Sequence, residues 1–72
     1  MENAQTVTIR AEPIELCQLM KFAGLTATGG EAKTVISEEM VSVNGEIETR
    51  KRRKIVAGDR VTIGGKTVVV SL

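Results

Sequence analysis

Val41-Ser42-Val43-Asn44-Gly45-Glu46-Ile47 alternates apolar and polar side chains around an Asn-Gly pair. The alternation has the period of a β-strand, and Asn-Gly supplies the left-handed residues of a tight hairpin. A two-residue Asn44-Gly45 turn sets Val43 opposite Glu46 and Ser42 opposite Ile47, which mixes the faces. A three-residue loop ending in left-handed Gly45 sets Val41 opposite Ile47 and is the register expected on facing grounds. The hydrophobic period changes at this point, from helical before it to twofold after it, and the change sets the fold class.

Working back towards the N-terminus, Thr28-Gly29-Gly30-Glu31 is a Thr-x-x-Glu capping pattern ahead of Ala32, Val35 and Ile36. It predicts a helix over residues 29–39. Before it, Leu16, Leu19, Met20 and Ala23 fall at helical spacing behind Pro13, with Gly24 as a left-handed stop, and predict a helix over residues 13–23. Leu25 lies in the short connection and is expected to pack against both helices. Thr6-Val7-Thr8-Ile9 reads as a strand.

Downstream, Gly58-Asp59 marks a turn, and Val61-Thr62-Ile63 and Val68-Val69-Val70 flank Gly64-Gly65. A two-residue loop there pairs Ile63 with Lys66 and Val61 with Val68, which keeps Val61, Ile63, Val68 and Val70 on one face. The order is strand, two helices, then a small, mainly antiparallel sheet, so the fold class is α+β, with the helices packed against the sheet. The 72 residues suit one domain spanning residues 1–72, with residues 1–5 expected to be flexible.

Composition narrows the function. Hydrophobic residues make up 42% and charged residues 26% of the chain, as in a globular domain, so wholesale disorder is not expected. One cysteine, Cys17, allows no internal disulfide, and no apolar run approaches the ~20 residues of a membrane span. The start, Met1-Glu2-Asn3-Ala4-Gln5, does not resemble a signal peptide, so a cytoplasmic location is expected. No histidine is present, Cys17 has no companion ligands nearby, and the glycine pairs lack nucleotide-binding spacing. Catalysis, a cofactor, a metal and a small-molecule substrate are therefore not expected, and Cys17 reads as a core or boundary residue.

The formal charge of +1 is unevenly spread: residues 1–40 carry −3 and residues 41–72 carry +4. The positive excess is concentrated in Arg50-Lys51-Arg52-Arg53-Lys54. Five consecutive cations repel one another, and a phosphate backbone relieves that repulsion by ion pairing and counterion release. The plainer reading is a solvated basic loop, and the arginines could also pair with Glu46 or Glu48 across the sheet.

The second candidate is the start of the second helix. With Ala32, Val35 and Ile36 as its buried stripe, about 100° per residue places Gly29, Lys33 and Ser37 on one flank and Glu31 and Glu38 on the other. Gly29 and Gly30 leave room for a ligand's backbone, and Lys33 adds charge beside them. Thr28 caps the helix with its hydroxyl, and Glu31 is expected to bond back to Thr28 and occupy the field of the helix end, leaving Lys33 to meet an anion. The plainer reading is a capped helix with an ordinary lysine. Lys21 and Arg10 are peripheral candidates. Phe22 is the only aromatic, so base stacking along a splayed single strand is not expected, and the chemistry suits phosphates, sugars and the shape of folded RNA.

Thr28-Gly29-Gly30-Glu31-Ala32-Lys33, then Val41-Ser42-Val43-Asn44-Gly45-Glu46, then Gly58-Asp59 before Val61, together resemble the RNA-binding domain named after ribosomal protein S-four. The similarity is greatest to small stand-alone bacterial members, which open with a strand and carry Thr-Arg-Lys-Arg, here Thr49-Arg50-Lys51-Arg52. It spans residues 12–70. The resemblance implies the alpha-L RNA-binding motif: a helix pair on a small sheet, with RNA lying across the helices and the adjacent loop. Carried over by position, the recognition surface includes Lys33 and Arg50 to Lys54. Serine often stands in the family where Thr28 does here, which preserves the hydroxyl cap. Catalytic domains that accompany some members have no counterpart in this chain, so their activities do not transfer.

The expected function is non-catalytic binding of structured RNA, such as ribosomal or transfer RNA, in the company of ribosomal or RNA-processing proteins and without a membrane. Two alternatives stay open: an adaptor that docks its basic patch on an acidic protein, and a binder of duplex DNA.

Overall fold

The computed structural model describes residues 3–72, the side chain of Asn3 excepted. Its strands and helices follow in the order β1 (Asn3–Thr8), β2 (Ile14–Glu15), α1 (Leu16–Phe22), α2 (Gly29–Ser37), β3 (Val41–Val43), β4 (Glu46–Ile47), β5 (Lys54–Ile55), β6 (Arg60–Ile63) and β7 (Lys66–Ser71). β1, β7, β6, β3 and β4 form one sheet in that order, and β2 and β5 form a separate two-stranded ribbon. The class is α+β, with a mixed, mostly antiparallel sheet; the parallel pair is β1 with β7.

Alternation along the strands decides what is buried. Val41, Val43, Val61, Val68 and Val70 are buried, and Ile63 is half-buried against them. Leu16, Leu19 and Met20 of α1 and Ala32 and Ile36 of α2 complete the core with Ile9 and Ile55. Cys17 is buried in the same cluster, and Leu25 packs against it from between the helices. The intervening residues of the sheet are largely hydroxylic, and the side chains of Thr62 and Thr67 meet across β6 and β7 at 3.0 Å. Among the described residues no helix is long and apolar enough to cross a membrane.

The β6–β7 hairpin has the expected register, Ile63 opposite Lys66 and Val61 opposite Val68, with Gly64 and Gly65 at φ 54° and 83°. The β3–β4 hairpin does not. Ser42 lies opposite Ile47 and Val43 opposite Glu46, so the turn has two residues, with Asn44 and Gly45 at φ 53° and 86°. Two successive left-handed residues match the twist of the strands they join. The facing argument fails because β4 is a two-residue edge strand whose Ile47 is 56% exposed and never enters the core.

Asn44 also holds the turn to the next hairpin. Its Nδ2 donates to Asp59 Oδ1 at 3.1 Å, and the Arg60 N–H donates to its Oδ1 at 2.9 Å. Asn44→Ala removes both bonds and puts in the left-handed region a residue that adopts it less readily than Asn, so a loss of about 1 kcal/mol is expected in urea unfolding.

Three boundaries move. The first strand begins at Asn3, not Thr6, and Asn3, Ala4 and Gln5 face Lys66, Thr67 and Val68 of β7. The expected flexibility of residues 1–5 thus falls partly on these paired residues and partly on residues 1–2, which lie outside the described residues. The first helix starts at Leu16, not Pro13, because Ile14 and Glu15 pair with Ile55 and Lys54. The second helix ends at Ser37, with Glu39 at φ 63° turning the chain towards β3.

Candidate nucleic-acid interface

The basic segment is folded into a fixed shape by its own backbone and by one carboxylate. The Arg53 N–H donates to the Arg50 carbonyl at 3.2 Å, which closes a turn with Lys51 and Arg52 at its tip. The carbonyls of Arg53 and Lys51 in turn accept the N–H groups of Leu16 and Cys17, at 2.9 and 3.1 Å. These are donors at the start of α1 that no side chain caps. The loop thus serves as the cap, and it is fastened to α1 as a result.

Glu48 organises the arginines. It follows β4, its N–H donates to the Val41 carbonyl at 2.9 Å, and only 6% of the residue is exposed. Its Oε2 accepts the Arg50 backbone N–H at 2.9 Å and Arg50 Nε at 3.1 Å. Its Oε1 accepts Arg53 Nη1 at 2.9 Å and Arg50 Nη2 at 3.2 Å. These bonds, first those from the Arg50 guanidinium, then those from Arg53 and the Arg50 backbone, outweigh the opposing effect of burial and lower the Glu48 carboxyl to about 2. Of the two carboxylates offered by the sequence, Glu48 makes the pairs; Glu46 is exposed in β4. Arg50 and Arg53 are therefore partly neutralised, whereas Lys51, Arg52 and Lys54 stand exposed.

Two adjoining depressions hold most of the candidate residues. Ser37 at the end of α2 joins Thr49 and the whole run Arg50 to Lys54 in a broad one, open to solvent. Gly29 and Lys33 of α2 meet Arg52, Lys21 and Gln18 in the second, together with Glu15 and Cys17. Arg52 lines both, so the cationic flank of α2 and the basic turn converge on one surface. A Cβ built on Gly29 would touch nothing within 4 Å, so the missing side chain leaves open space beside Lys33 rather than relieving a clash.

Thr28 and Gly30 line neither depression. The Thr28 hydroxyl accepts the Glu31 N–H at 3.0 Å and the Gly30 carbonyl accepts the Thr34 hydroxyl at 3.1 Å, so both act in building the helix start. Glu31 reaches back as expected but one residue further, its Oε1 accepting the Ala27 N–H at 2.7 Å rather than that of Thr28. The Ser37 hydroxyl donates to the Thr34 carbonyl at 2.9 Å, which leaves its oxygen able to accept.

Lys21 sits in the same depression as Lys33 and Arg52, whereas Arg10 lies in a separate groove beside Phe22. Gln18 and Glu15 line the site without having been expected there, and Glu48 holds two arginines where a simple pair was expected. Gln18 and Lys21 share a strip of α1 at helical spacing, which the sequence displays; nothing local in the sequence marks the burial of Glu48.

The chain is similar in sequence and in fold to known proteins. The S4 domain family matches residues 7–71. YbcJ of Escherichia coli (strain K12), which carries a provisional RNA-binding name, is 49% identical over 57 residues, covering 79% of this chain and 81% of its own. RlbA of Bacillus subtilis (strain 168), named as a probable ribosome maturation protein, is 42% identical over 62 residues, covering 86% and 87%. The solution structure of YbcJ from E. coli, described as revealing an alpha-L motif involved in RNA-binding, superposes with a TM-score of 0.74 at 44% identity, covering 100% of this chain and 92% of that one. On sequence and fold together, this chain belongs to the S4 domain family.

Proposed function

We propose that this protein is a non-catalytic binder of structured RNA that seats a sugar–phosphate backbone across the basic turn and the Lys33 flank of α2. The observation that carries the reading is the position of Arg52, which lines both depressions and makes one surface of cations that are far apart in sequence. The preformed turn favours a fixed, shape-dependent contact over the loose attraction of a mobile polycation. Ribosomal or transfer RNA is the expected ligand class. The alpha-L motif of YbcJ supports RNA, and the name of RlbA supports a ribosomal RNA context in the cytoplasm, beside ribosomal or RNA-processing proteins.

Lys21, Lys33, Lys51, Arg52 and Lys54 are exposed and available to phosphate, with Arg50 shared with Glu48. If about three to five phosphates are neutralised, log affinity for folded ribosomal RNA falls with log salt at a slope of roughly −2 to −4. Titration of the RNA at a series of salt concentrations measures this, with duplex DNA and an acidic protein as competitors. Affinity independent of salt, or displacement by duplex DNA or the acidic protein at the RNA's own concentration, would reject the reading.

A further inference from the structure

We propose that the groove beside Phe22 is a seat for one unpaired nucleobase of the bound RNA, an inference that rests on the RNA-binding reading above. Phe22 closes α1 and is 59% exposed, although it is the only aromatic residue of the chain. It lines a groove of about 230 Å³ together with the apolar Ile9, Ala11, Pro13 and Ile14 and the polar Arg10 and Gln18. The volume is below the roughly 300 Å³ at which pockets for drug-sized ligands begin, and suits a single heterocycle.

The chemistry of the lining is that of base recognition. A flat ring and apolar neighbours suit a π-face, while a guanidinium fork and a side-chain amide offer donors and an acceptor to a base edge. One ring serves one base, so the groove does not conflict with the absence of a platform for a splayed strand.

Continuity with the cationic surface gives the groove its occupant. Gln18 lines both the Phe22 groove and the depression formed by Lys21, Lys33 and Arg52. Gln18 and Phe22 are four residues apart on one helix, so their side chains are neighbours on its surface. A strand leaving that depression along α1 passes Gln18 and arrives at Phe22. The base it carries there escapes water against the ring.

The test compares a short blunt hairpin RNA with the same hairpin bearing an unpaired adenosine tail at either end. The wild-type protein is expected to prefer one tailed form by about tenfold, the scale of a single aromatic–base stack. Phe22→Ala, at an exposed helical position, is expected to bind the blunt hairpin as before and to lose the preference. Phe22→Trp should restore it, and the fluorescence of this sole indole should be quenched by the preferred tailed RNA and not by the blunt one. Equal wild-type binding of tailed and blunt RNA, or a preference that survives Phe22→Ala, overturns the nucleobase seat and leaves the phosphate-binding surface standing. Failure of the wild type to bind either RNA overturns both.

Discussion

Glu48→Gln is expected to destabilise the protein by about 2 kcal/mol at neutral pH, the scale of lost hydrogen bonds to charged groups. In a chain of this size that lowers the melting temperature by roughly 10 °C. The substitution keeps the shape of the side chain and removes the charge that holds Arg50 and Arg53. An amide offers one acceptor oxygen to four donors and places an NH₂ against a guanidinium. The loss stays moderate because the Arg50 side chain is 74% exposed and water screens its share of the pair.

The same carboxylate sets a pH dependence. Folding lowers its pKa from the ordinary 4.5 to about 2. Its contribution is therefore complete above about pH 4.5 and is lost as the pH falls towards 2, where the folded state must also take up the proton. Urea midpoints measured from pH 7 down to 2 should fall more steeply for the wild type than for Glu48→Gln, so that the two curves converge in acid. Parallel curves would show that the clamp contributes nothing to stability.

Lys33→Ala combined with Arg52→Ala is expected to weaken RNA binding by about a hundredfold at low salt and to flatten the salt slope by between about 1 and 2, since two phosphate contacts disappear. Stability should stay within about 0.5 kcal/mol, because both side chains are exposed. The double variant isolates the junction: it keeps Glu48 and both arginines it holds. By contrast, Arg50→Ala with Arg53→Ala removes two charges that Glu48 already offsets in part, and should flatten the slope less per cation lost. Equal effects from the two pairs would mean that the clamped arginines face phosphate as freely as Arg52 does.

How far the fold can be read from residue order depends on the range of the interaction involved. The capped start of α2, the Gly24 stop and the Gly64-Gly65 hairpin are decided within a few residues, and local chemistry announces them. The boundary of α1 is not local. Pro13 has the look of a first helical residue, but Ile14 and Glu15 are claimed by Ile55 and Lys54, some forty residues away. The Asn44-Gly45 register depends on whether Ile47 is buried, which no neighbouring residue states. The parallel partner of β1 is more remote still, 63 residues away.

The candidate interface shows the same division. The run from Arg50 to Lys54 is plain in the sequence, and helical spacing puts Gly29, Lys33 and Ser37 on one flank of α2. That Arg52 bridges the two is a consequence of the turn closed between Arg50 and Arg53 and of its attachment to Leu16 and Cys17. The sequence names Glu48 as a partner for arginine but does not reveal that it takes two, because burial of its carboxylate follows from the path of the chain after β4.

The parallel pairing of Asn3–Thr8 with Lys66–Ser71 has a bearing on how the molecule folds. β1 borders β7 and no other strand of that sheet, so it has no edge to join until β7 is in place. Adding β1 is thus a remote closure, between register partners 63 residues apart. Without the segment from Lys66 onward, β1 would lack the neighbour it pairs with.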